Sequence, residues 1–213
     1  MISLHEIGTG HQANGMRQAD YSFFCPLPFA EILEVRMIRS FQGIHPRIDP
    51  TAFIAETAVI VGDVEIGPQS SIWYNVVARG DVNFIRIGSR TNIQDLSMLH
   101  VTHKKNDKDP GAPLIIGDDV TVGHSVTLHG CTVENGAFIG MQAIVMDKVV
   151  VGEGALVGAR ALVTEGTKIA AHTLWVGSPA RYKRDLTTDE IDWLEKSAGN
   201  YVNYTLQYIN DPT

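Results

Sequence analysis

Three histidines dominate the chemistry this sequence could perform: His100 after Leu99, His124 in Gly123-His124-Ser125, and His129 after Leu128. Neutral imidazole nitrogens are ligands for divalent cations, and three of them leave a fourth position open. That is the pattern of a catalytic zinc rather than a structural one, which takes a fourth protein ligand. His103 and Cys131 are the nearest competitors. The first begins a polar stretch and the second reads as a small buried thiol. Ser125 lacks the G-x-S-x-G elbow of a nucleophile, and Gly152-Glu153-Gly154 lacks the spacing of a dinucleotide loop.

The elements that must hold these histidines announce themselves by a period of six. Ile54, Ile60, Ile66 and Ile72 begin it, and Ala78 and Phe84 continue it; after a shift of phase come Ile87, Ile93 and Leu99. Ile116, Val122 and Leu128 follow, and after one five-residue step the series runs Val133, Ile139, Val145, Val151, Val157, Val163 and Ile169. Six matches neither helical periodicity nor simple strand alternation. A glycine often follows the aliphatic residue, as at Gly67, Gly88, Gly117, Gly123, Gly140, Gly152 and Gly158, and is expected to turn the backbone there. The reading is an all-β solenoid of short parallel strands joined by tight turns. An irregular β-sandwich would turn every 8 to 12 residues instead. The pattern resembles the hexapeptide-repeat, left-handed parallel β-helix family, in which about three hexapeptides complete one triangular coil.

The repeat is expected over residues 44–178, after an N-terminal extension, residues 1–43, that lacks it. Met37 is an alternative start. Residues 178–184 (SPARYKR) end the pattern, and Thr187 with Glu190 has capping-box spacing. Ile191, Leu194, Ala198, Tyr201, Thr205 and Tyr208 then predict a C-terminal α-helix of about five turns within residues 179–213, packed on the solenoid.

The repeat gives the histidine spacing its meaning. His103 to Pro113 is an excursion of eleven mostly polar residues, and without it Leu99 and Leu128 stand eighteen residues apart, one coil. His100 and His129 then become stacked neighbours on strands about 4.8 Å apart, close enough to share a cation. His124 lies around a corner. A second copy related by a three-fold axis could supply it, which makes a homotrimer with intersubunit metal sites the expected assembly.

Composition narrows the alternatives. The 213 residues are 44% apolar and 19% charged, with a net charge of −7, which suits a globular domain and disfavours a nucleic-acid binder. Two cysteines, Cys25 and Cys131, make no disulfide framework. The apolar stretch from Tyr21 to Ile38 is broken by prolines and charges, so no membrane span is expected, and the N-terminus reads as neither a secretory signal nor a transit peptide. A cytoplasmic location is the resulting expectation.

Together, Arg79-Gly80-Asp81, Asn92-Ile93-Gln94-Asp95, His100, Gly123-His124-Ser125, His129-Gly130-Cys131 and the Gly177-Ser178-Pro179-Ala180 exit resemble γ-class carbonic anhydrases, from about Ile44 through Tyr208. The resemblance implies a homotrimer with His100 and His129 of one chain and His124 of the next around zinc, with cobalt or iron(II) also accepted by imidazoles. The substrate pair it implies is carbon dioxide and bicarbonate, interconverted by a hydroxide generated when the metal lowers the pKa of bound water. It further implies that Gln94 and Asn92 face the substrate, that Tyr201 and Asn203 lie near the pocket, and that Arg79, Asp81 and Asp95 form a polar network across the interface. The helix stripe gives Tyr201 a competing role in core packing. One departure stands out: the fully active branch carries a glutamate after the Asp of Arg-x-Asp and a longer acidic loop, whereas this chain has Val82 and Lys104, Lys105 and Lys108. Two other readings therefore stay open, a metal-binding trimer serving assembly or interaction and an acyltransferase or thioesterase on the same solenoid.

Overall fold

A computed structural model describes residues 37–106 and 108–211, so the expectations for the segment before residue 37 lie outside them. The chain winds into a left-handed parallel β-helix closed by one C-terminal helix. Its strands lie on three faces. The first stacks Val77–Gly80 of one long strand on Met98–His100, Thr127–His129, Ile144–Val145 and Leu162–Val163. The second runs through Leu114–Ile116, Thr132–Val133, Val150–Val151 and Lys168–Ile169. The third runs from Phe53–Ile54 through Asn92–Ile93, Thr121–Val122 and Phe138–Ile139 to Thr173–Gly177. Each repeat puts one aliphatic side chain inside, and Ile72, Ile93, Val122, Leu128, Ile139 and Val157 are fully buried. The first strand, Met37–Arg39, already pairs in parallel with Val59–Val61, so the solenoid begins before residue 44.

Two sequence expectations are corrected by this geometry. Phe84 does not continue the inward series; Ile85 does, fully buried, because the long strand Val77–Ile87 slips register against its neighbour between Gly62 and Val64. Gly62 pairs with Gly80 but Val64 pairs with Ile85, and that slip is the shift of phase seen in the sequence. The repeat glycines, moreover, do not make the left-handed turns. Those fall two positions on, at Gln69, Arg90, Asp119, Ser125, Gln142 and Arg160, all with φ between 53° and 61°. What Gly140 permits is close approach of coils: a Cβ there would stand 2.5 Å from the Ala159 nitrogen.

The excursion is a short hairpin-like loop whose root is the antiparallel bridge between Thr102 and Ala112. After the solenoid, Ala180–Asp185 folds back antiparallel on Thr173–Gly177 across a cis Ser178–Pro179 peptide. Thr187 then caps the helix Thr188–Asn210 in a reciprocal capping box with Glu190. The helix covers the third face, where Leu194, Ser197, Ala198 and Thr205 are buried, while Tyr208 stays half exposed at the end of the expected stripe. No helix among the described residues is long and apolar enough to cross a membrane.

Candidate metal centre

Removing the eleven-residue loop from the count amounts to a prediction of register, and the strands obey it: Leu128 pairs with Leu99 and His129 with His100. The buried leucines point inward, so the following histidines both point outward on the first face. His100 Nδ1 lies 3.1 Å from His129 Nε2. Two ligand nitrogens at about 2.05 Å in a tetrahedral zinc site stand roughly 3.3 Å apart, so the pair has the separation that a shared cation requires.

Each remaining ring nitrogen has a carboxylate. His100 Nε2 is 3.0 Å from Asp81 Oδ1, and His129 Nδ1 is 2.5 Å from Asp147 Oδ1. Such partners fix the ring and its tautomer, leaving the opposite nitrogen as the ligand. Burial pushes the His100 pKa below its ordinary value despite its hydrogen bond to the Asp81 carboxylate, which favours the neutral imidazole that a metal needs. Asp81 is desolvated too, yet hydrogen bonds from His100 and Arg79 outweigh that cost and hold its pKa low. Arg79 is ion-paired with Asp81, completing a chain from guanidinium to imidazole.

His124 stands apart from this pair. It follows the strand Thr121–Val122 at the corner leading to the first face, and its Nδ1 bonds Asp95 Oδ2 at 2.7 Å, so that Nε2 is the nitrogen left to ligate. Its side chain is 47% exposed. Among the described residues, no three His, Cys, Asp or Glu side chains of one chain are grouped to hold a cation. The expected Arg79, Asp81 and Asp95 network is thus divided within one chain, Arg79 and Asp81 serving His100 while Asp95 serves His124.

Gln94 and Tyr201 line a cavity of about 330 Å³ beside His124, walled mainly by Phe138, Met141, Leu156 and Trp193 between the solenoid and the helix. Tyr201 also packs edge-on against Trp73, with ring centroids 5.8 Å apart, so its two anticipated roles coincide. Burial, with Asp95 adding, raises its pKa and keeps the phenol protonated. Asn92 stands behind Gln94. Its amide donates to Thr121 Oγ1 at 2.9 Å and accepts from Gln94 Nε2 at 3.1 Å. Thr121 in turn meets Ser197 of the helix. Asn92, 1% exposed, therefore braces Gln94 at the cavity wall and, through Thr121, the helix. Asn203 is exposed on that helix, His103 is exposed in the excursion loop, and Cys131 is the buried thiol expected of it.

Asp147 was not singled out from sequence. It follows His129 by eighteen residues, one coil, and that spacing is the signal that could have found it.

A solenoid of hexapeptide coils displaying outward histidines defines the class, and residues 130–165 match the family model of the bacterial transferase hexapeptide, six repeats. The fold superposes with TM-score 0.76 on the crystal structure of a hexapeptide transferase family protein from Anaplasma phagocytophilum, 44% identical, covering 81% of this chain and 98% of that one. Gamma carbonic anhydrase 2, mitochondrial, of Arabidopsis thaliana is 50% identical over 74% of this chain, which spans only 56% of that relative's length. A carbonic anhydrase of Geobacillus kaustophilus is 48% identical, covering 78% of this chain and 87% of its own. The chain belongs to the γ carbonic anhydrase family.

Proposed function

We propose that the protein is a metal-dependent carbonic anhydrase that interconverts carbon dioxide and bicarbonate, working as a homotrimer with its sites between subunits. The observation that carries this reading is the in-register pair His100 and His129, nitrogens converging and each ring backed by a carboxylate. His124 of a neighbouring copy would complete the donor set, with His124 held for that role by Asp95. Exposed Met98, Ile144 and Met146 flank the pair on the same face and suit burial against another subunit.

Three neutral imidazoles fit zinc, and also cobalt or iron(II); when bound, such a cation supplies the Lewis acidity that generates hydroxide at neutral pH. The chain's own residues do the rest. The apolar walls beside His124 admit an uncharged substrate, and the Gln94 amide, braced by Asn92, offers a hydrogen bond to a substrate oxygen. Tyr201, kept as phenol, closes the wall next to Gln94 and His124. The proton released in each turnover leaves by solvent or buffer, because Val82, 44% exposed, stands where the active branch places its acid.

That same Val82 favours a second reading, in which the metal serves assembly and hydration is slow. Elemental analysis coupled to stopped-flow hydration separates the two, on the wild type and on His124→Ala. The carbonic anhydrase reading expects metal near one per chain, hydration above buffer, and loss of both in the variant. Bound metal with hydration no faster than buffer at every pH tested would establish the assembly reading instead.

A further inference from the structure

Of the two carboxylates that back the histidine pair, Asp147 is tied in turn to the excursion loop. Asp147 divides its two oxygens: Oδ1 accepts from His129 Nδ1 at 2.5 Å, and Oδ2 accepts from the Thr102 hydroxyl at 2.5 Å. Thr102 is the root of the loop, bridged through its backbone to Ala112 by bonds of 2.9 and 3.1 Å. Asn83 ties the two legs of the loop, its amide donating to the carbonyls of Thr102 and Pro110, each at 3.0 Å. Asn83 belongs to the same strand as Asp81, the partner of His100. Gly130 leaves room for this arrangement, since a Cβ there would lie 2.6 Å from Asp147 Oδ1 and 2.7 Å from the Ala112 Cβ.

We propose that Asp147 is a positioning residue that holds His129 with Nε2 facing His100, and that the excursion loop, through Thr102, holds Asp147. The loop is then a clamp on the metal centre, with Asn83 as its crosspiece. A carboxylate with a single partner can swing about its side-chain torsions; one bonded at both oxygens presents one lone-pair direction to the imidazole. The inference rests on the metal reading given above.

The test compares wild type, Asp147→Asn, Thr102→Val, Thr102→Ser and His129→Ala as intact oligomers. Zinc affinity is read by chelator competition, and the His129 tautomer by nitrogen-15 NMR of metal-free protein. Asp147→Asn should bind zinc about 10- to 100-fold more weakly and lose the Nδ1-protonated tautomer of His129, while keeping its oligomeric size. Thr102→Val should weaken zinc by several-fold and Thr102→Ser should restore it, a pattern that a merely structural threonine would not give. Wild-type affinity and tautomer in Asp147→Asn would overturn the proposal, and if that variant does not fold, wild-type affinity in Thr102→Val would do so. Undiminished zinc binding by His129→Ala would instead remove the metal reading itself, and this proposal with it.

Discussion

If one chain carries the pair His100 and His129 and its neighbour carries His124, two different crippled subunits should repair each other. In His124→Ala the pair is intact; in His129→Ala the bridging histidine is intact. Around a three-fold axis a complete site forms only where the pair of the first variant meets His124 of the second. Any trimer containing both kinds of chain has one such junction among its three. Random assembly of equal amounts makes about three quarters of the trimers mixed, so about a quarter of all sites are restored, and about a third in trimers selected for both chains. Co-expression with two affinity tags and tandem purification isolates those mixed trimers, whose zinc content and hydration rate are then set against the wild type. Doubly tagged trimers no better than either parent would refute the shared site. The geometry behind the prediction is that His124 stands at a corner with its Nδ1 committed to Asp95, outside the cluster of the pair.

Three further outcomes follow from the burial pattern. Because the folded His100 pKa is depressed, protonation opposes folding: its contribution to stability is complete above the unfolded value near 6.5 and is lost as pH falls below it, so melting temperatures of metal-free protein should drop there, and less steeply in His100→Gln. Leu128→Ala, at a fully buried site between Leu99 and Val145, should cost about 3 to 5 kcal/mol in denaturant unfolding at fixed protein concentration, and a loss below 1 kcal/mol would contradict the packing described. Cys131, its thiol pushed up to about 12 by burial, should resist alkylation at pH 8 in the native state and react on unfolding, as read by peptide mass mapping.

The period of six was legible because each hexapeptide needs one aliphatic side chain inside, and the stacking of His100 on His129 was legible because strand register is arithmetic once the excursion is set aside. Other features were hidden for physical reasons. The slip that replaces Phe84 by Ile85 is a local backbone irregularity between two apolar neighbours, and either could fill the core by type alone. The glycines looked like turn residues, yet the left-handed positions two residues on are filled by Gln69, Arg90 and Asp119, held there by the coil's hydrogen bonds. The bracing of Asn92 through Thr121 was hidden because it depends on a helix that arrives about a hundred residues later in the chain. Asp147 belongs to another coil than the histidine it serves, and only the folded spacing brings them together.

A stack of short parallel strands has two open rims, each a row of unsatisfied backbone donors and acceptors on which another copy could build without limit. At the C-terminal rim the chain reverses: Ala180–Asp185 runs antiparallel, with Arg181, Lys183, Arg184 and Asp185 all exposed. On the third face a charged strand of opposite polarity thus stands where the next parallel strand would pair, which disfavours end-to-end growth into a fibre at that rim.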